Sequence, residues 1–245
     1  MKRTLLLFCI LVSFSGCSDD TEDVTKTMTV RISHEVSGVP LERNKLKYTN
    51  KAGEKYSVIN LKYYLSRFSF RQGESMVTFD TIIYIDAFDQ STLQARFEFP
   101  VNFEPESLTF TFGIPEEKNV DNALPASQEH LSMIWPPTLG GGYHYMKLEG
   151  RYELTAGGLS NHNTHTGRLK MEDYSDSHLF FVDRPLANIS SREKLNLVMD
   201  INQWYENPQT YSFNYFGKAI MTNPEAQNAL RSNGKTVFSL KVDDQ

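Results

Sequence analysis

Short runs in which apolar and polar residues alternate one by one, each cut off by turn residues, constrain this chain more than any other feature. In residues 27–36 (TMTVRISHEV), Met28, Val30, Ile32 and His34 share one side, the period-two pattern of a half-buried strand. Similar runs occupy residues 60–70 (NLKYYLSRFSF), 76–87, 95–101, 108–114 (LTFTFGI), 142–154, 177–182, 194–201 and 236–242. Only residues 226–233, stopped by Gly234, read as a helix. The expected fold is all-β: an antiparallel β-sandwich, immunoglobulin-like or jelly-roll-like, with long loops and one short C-terminal helix. Sixteen Phe and twelve Tyr supply the aromatic surface for its core.

The first 16 residues stand apart from that pattern. Lys2-Arg3 followed by an apolar run over residues 5–14 is a secretory signal, too short to span a membrane. It closes on Phe14-Ser15-Gly16-Cys17, which resembles a bacterial lipobox with Cys17 as the lipidation site. Acyl chains there would tether the protein in the cell envelope, each buried methylene contributing about 0.8 kcal/mol. Residues 17–26, with the acidic stretch SDDTED, read as a tether, and residues 27–245 as one domain.

The other cysteine, Cys9, lies inside the signal. The exported domain thus has no disulfide and no thiolate for a metal, so His, carboxylate or Met must serve. Removing Lys2 and Arg3 from 25 basic residues leaves 23 against 30 acidic ones. That balance argues against a nucleic-acid partner, because no basic stripe is available to neutralise phosphates. A Gly-rich phosphate loop, a G-x-S-x-G elbow and an H-E-x-x-H motif are all missing, and the expectation is a protein that is not an enzyme.

Residues 133–167 (MIWPPTLGGGYHYMKLEGRYELTAGGLSNHNTHTG) gather the chemistry. Trp135 precedes a Pro-Pro and triple-Gly turn, and His144 comes after it. Continued alternation through residues 142–154 would put Tyr143, Tyr145, Lys147 and Glu149 on one face and His144, Met146 and Leu148 on the other. A second loop is expected to deliver His162 and His165. Three of the six histidines fall between 144 and 165, and imidazole suits copper and zinc alike. His34, on the apolar side of its strand, reads by its position as a core or edge histidine hydrogen-bonded to the backbone.

The order of motifs resembles the MbnP-like copper-binding proteins, a family associated with methanobactin gene clusters. The pieces that carry the resemblance are GEKYSVINLKYYLSRFSF, LTFTFGIPEEKN, LSMIWPP followed by GGYHYMKLEG, THTG, and the late NPEAQNAL and VFSL. The resemblance implies a β-sandwich that binds copper through histidines. It further implies a tryptophan oxidised to kynurenine by a di-haem partner of the MauG or cytochrome c peroxidase type. Carried onto this chain, the metal residues are His34, His165 and, less directly, His144, and the oxidised residue is Trp135. Ring opening would turn the indole nitrogen, a donor without a free lone pair, into an aniline-type amine able to approach a soft cuprous ion. Copper storage, delivery or sensing would be the role. A rival reading is an adhesion or glycan-binding module in which Trp135, Tyr143 and Tyr145 form an aromatic platform.

Overall fold

The structure is a computed structural model that describes residues 25–168, 180–185 (backbone) and 194–242. Cys17 and residues 17–24 of the tether lie outside the described residues. Thr25 and Lys26, read as tether, already belong to the first strand.

Thirteen strands are described: β1 (Thr25–Val36), β2 (Val39–Pro40), β3 (Tyr48–Thr49), β4 (Lys55–Tyr56), β5 (Asn60–Gln72), β6 (Ser75–Asp86), β7 (Gln94–Pro100), β8 (Ser107–Phe112), β9 (Met146–Glu153), β10 (Leu159–Thr166), β11 (Phe180–Pro185), β12 (Lys194–Asp200) and β13 (Phe238–Val242). They form two sheets. In the first, β1 is flanked by β12 and then β13 on one edge, and by β7 and β2 on the other. In the second, β6 lies along one edge of β5, while β8 and β9 share its other edge, and β10 closes on β9.

The sandwich is as expected, except that β1 and β12 run parallel. Alternation reports which face is buried and not the direction of the neighbour, so this pairing left no trace in the hydropathy pattern. The period-two reading of β1 holds: Met28, Val30, Ile32, His34 and Val36 are buried in turn. On β5 the parity changes midway. Arg67 adopts φ of 50°, the register with β6 and β8 slips there, and the buried set moves from Leu61, Tyr63 and Leu65 to Phe68 and Phe70, the signature of a β-bulge. Aromatic pairs then bridge the sheets, with Phe68 and Phe97, and Phe70 and Phe99, each at 4.9 Å between ring centres.

Four short helices are described beside the strands: α1 (Gln128–Leu131), α2 (Gln203–Glu206), α3 (Phe213–Phe216) and α4 (Pro224–Gly234). The last is the expected helix, opened by the Asn223 side chain on the Ala226 N–H. Among the described residues no helix is long and apolar enough to cross a membrane.

A third layer positions the functional residues. The outer face of the second sheet is covered by residues 113–143, which build a separate small core of Tyr64, Ile114, Met133 and Tyr143.

Candidate metal centre

Residues 159–166 (LSNHNTHT) form strand β10 instead of the expected loop. Its inward side chains, His162, Thr164 and Thr166, are polar yet buried, so the stretch has no apolar alternation to read. Buried polar groups need partners, and His162 Nε2 meets the Ser57 carbonyl at 2.9 Å while Thr164 Oγ1 meets the Tyr205 hydroxyl at 3.1 Å. Register then separates the two histidines of this strand. His162 lies opposite Gly150 on the inner face, and His165 opposite Lys147 on the outer face.

Trp135 and His144 reach that outer face through the turn between them. The Trp135 N–H donates to the Gly142 carbonyl at 2.9 Å and the His144 N–H to the Met133 carbonyl at 2.7 Å, closing a hairpin. Gly140, Gly141 and Gly142 take φ of 119°, 68° and 78°, values open to glycine at little cost. Asn119, fully buried, holds Tyr143 from both sides: its Oδ1 accepts from the Tyr143 N–H at 2.7 Å and its Nδ2 donates to the Tyr143 carbonyl at 3.3 Å. Strand β9 begins only at Met146, and the chain bends at Tyr145. Alternation is therefore broken where it was expected to continue. Tyr145 and Met146 both enter the main core, whereas His144 joins the outer face with Lys147 and Glu149.

The result is a compact group. The rings of Trp135 and His144 stand edge to face at 4.7 Å, and those of His144 and His165 at 5.0 Å. Trp135 is fully buried and its Nε1–H donates to the Leu139 carbonyl at 3.2 Å. Gly167 lies against the indole face, which accounts for glycine at the end of THTG.

The hydrogen bonds fix which ring nitrogens carry protons. A carbonyl can only accept, so the 3.0 Å contact between His144 Nδ1 and the Met133 oxygen makes Nδ1 the protonated atom. Nε2 of His144 is left with a lone pair, buried and without a hydrogen-bond partner. His165 is the mirror case: Nε2 meets Glu149 Oε1 at 2.8 Å and so carries a proton, which in the neutral ring leaves the lone pair on Nδ1. Burial pushes the His144 pKa down to about 3, and neighbouring His165 adds to that lowering. The His165 hydrogen bond brings the Glu149 carboxyl to about 2, against the opposing effect of burial.

His34 is not part of this group. Its Nε2 shares a 2.9 Å hydrogen bond with the Tyr63 hydroxyl between the sheets, and burial lowers its pKa to about 3. Tyr63 lies opposite Met146, which lies opposite Thr166, all on the inner face. The second sheet thus stands between His34 and His165, so the opening strand and β10 do not bring their imidazoles together. Among the described residues no three His, Cys, Asp or Glu side chains gather as a metal-holding group, and the site offers two imidazole lone pairs beside an indole. The expected aromatic platform has no exposed ring face, since Trp135 and Tyr145 are fully buried and Tyr143 is 4% exposed. Glu149, which residue type and spacing do not single out as a site residue, proves to be the partner of His165, and Asn60 the partner of Glu149.

These features define a two-sheet β-sandwich whose outer face carries a buried indole against His144, which in turn packs on His165. The family profile described as MbnP matches residues 25–222. The chain belongs to the MbnP family. Among solved structures it is similar to MbnP from Methylosinus trichosporium, at 12% identity, over 89% of this chain and 98% of that one, with a TM-score of 0.59. That likeness is one of fold. No curated protein matches the chain significantly.

Proposed function

We propose that this protein is an exported, lipid-anchored copper-binding protein of the cell envelope and not an enzyme, with His144 and His165 as its metal ligands. The carrying observation is the buried, unpartnered Nε2 of His144, on a ring that packs against both the Trp135 indole and the His165 ring. A buried polar atom without a hydrogen bond is costly, and a metal ion is one partner that would satisfy it. Membership of the MbnP family supports a methanobactin-associated, copper-related role. The donor set agrees with copper, because two neutral imidazoles suit Cu(I) and Zn(II) alike but form an incomplete set for the four-coordinate sites that zinc prefers.

In this reading Trp135 is oxidised to kynurenine by a di-haem peroxidase-type partner, and the new aniline-type nitrogen completes the site. An indole N–H held on the Leu139 carbonyl has no lone pair to give, so the third donor depends on that modification. Storage, delivery and sensing are the roles such a site serves.

Copper titration of purified protein tests the ligands. Wild-type protein should hold one Cu(I), and His144→Ala and His165→Ala should each abolish tight binding; unchanged stoichiometry in both would sink the assignment. Mass analysis of the Trp135 peptide after co-expression with a di-haem peroxidase should show oxygen gained and carbon lost. An unaltered peptide would count against the modification.

A further inference from the structure

The outer face beneath His165 carries a chain of hydrogen bonds that copper binding alone does not require. Arg43 donates from Nη2 to Asn60 Oδ1 at 3.3 Å, and Asn60 donates from Nδ2 to Glu149 Oε2 at 2.9 Å. The other carboxylate oxygen, Oε1, receives His165 Nε2 at 2.8 Å. Lys147 stands 3.7 Å from that same oxygen, beyond hydrogen-bond reach, and its ammonium donates instead to the Ser132 carbonyl at 3.3 Å. Every member of this chain has one polarity open to it. Arg43 can only donate, so Asn60 must turn its oxygen to Arg43 and its amide nitrogen to Glu149. An ionised carboxylate can only accept, so His165 must carry its proton on Nε2.

We propose that Glu149, oriented by Asn60, is the positioning residue that fixes His165 as its Nε2–H tautomer and so reserves Nδ1 as the electron-pair donor of the site. The inference rests on His144 and His165 being the metal pair, but the tautomer it assigns exists with or without metal. Its chemistry is that of a carboxylate behind a ligating imidazole, which sets ring orientation and strengthens the donor. His144 uses a backbone carbonyl for the same purpose and presents the opposite nitrogen.

Polarity makes the proposal testable by exchange. In Glu149→Gln, Asn60 still donates toward the outer position, so the glutamine oxygen faces Asn60 and its NH2 faces His165. The imidazole must then accept at Nε2 and carry its proton on Nδ1, which closes the donor. Adding Asn60→Asp reverses this, because an aspartate accepts the glutamine NH2 and returns the glutamine oxygen to His165. The pair Asn60→Asp/Glu149→Gln also keeps the wild-type net charge.

The readout is the long-range 1H–15N correlation of the His165 ring in 15N-labelled, metal-free protein at pH 8, alongside Cu(I) affinity by competition with a chromophoric chelator. Expected is an Nε2–H tautomer in wild type, Nδ1–H in Glu149→Gln with affinity about 10- to 100-fold weaker, and recovery of both in the double variant. A merely structural role would not be restored by exchanging the two polar groups. The proposal fails if Glu149→Gln keeps the wild-type tautomer, or if the double variant does not regain it. Wild-type protein that binds no Cu(I) while the three tautomers keep this order would refute the metal pair and uphold the positioning role.

Discussion

Gly167 gives the sharpest test of how the indole is seated. A Cβ built on it would lie 2.5 Å from Trp135 Cε3 and 2.7 Å from both Cδ2 and Cζ3, distances that real Cβ atoms do not reach. The obstacle is a rigid bicyclic ring, fully buried and tied through Nε1 to Leu139, so it cannot swing aside as a flexible side chain would. Overpacking of this kind costs about 1–3 kcal/mol. Restricting the unfolded chain by Gly→Ala offsets about 0.4–1 kcal/mol where φ is ordinary, and Gly167 has no positive φ. The net expectation for Gly167→Ala is a loss of about 1–2 kcal/mol, which for a domain of this size lowers Tm by about 2–8 °C. Calorimetry with urea unfolding measures it. The displaced ring should also alter its 4.7 Å packing on His144 and weaken Cu(I) binding. A Gly167→Ala protein as stable as wild type, with unchanged copper affinity, would refute the claim that Gly167 is kept to make room for the indole.

Particular contacts lead to three further outcomes. His34→Ala should leave copper stoichiometry unchanged while costing about 2–4 kcal/mol in urea unfolding, from a cavity and a buried Tyr63 hydroxyl left without its partner; loss of copper instead would return His34 to the site. The buried His34 and His162, with pKa values lowered by burial to about 3 and about 4, stay neutral in the folded state and take up protons on unfolding. Their contribution is therefore complete above the unfolded value near 6.5 and is lost as pH falls toward 4, at about 1.4 kcal/mol per pH unit for each; a denaturation series in which His34→Ala has the wild-type slope would contradict this. Glu54 accepts from Ser212 Oγ, from the Phe213 and Asn214 N–H groups, and from the Asn214 and Asn50 side chains, at 2.7–2.9 Å. Glu54→Ala should cost about 2–4 kcal/mol and free residues 212–214 to exchange amide hydrogens, and unchanged protection there would argue that α3 needs no such anchor.

Much of the fold was legible because most of the long strands have one apolar face. β1, β7 and β8 show their buried sets directly. β10 was hidden because its buried face consists of His162, Thr164 and Thr166, of which His162 and Thr164 meet partners more than 40 residues away in the chain. The site was legible as residues but not as an arrangement. Trp135, His144 and His165 stood out by type and spacing, whereas the side of the sheet each occupies depends on register and on one bend at Tyr145. That bend moved His144 toward His165, and the pairing of β9 with β5 put His34 behind the sheet. Glu149 and Asn60 are 89 residues apart, and only the β5–β9 pairing sets them side by side, as the β9–β10 pairing brings Glu149 to His165.

Anomalous scattering from a crystal of the copper-loaded protein, collected on both sides of the copper edge, is the most direct measurement. A single copper peak bonded to His144 Nε2 and His165 Nδ1, against the ring at position 135, is the expected result. A peak beside His34 and Tyr63, or one coordinated by neither His144 nor His165, would contradict it.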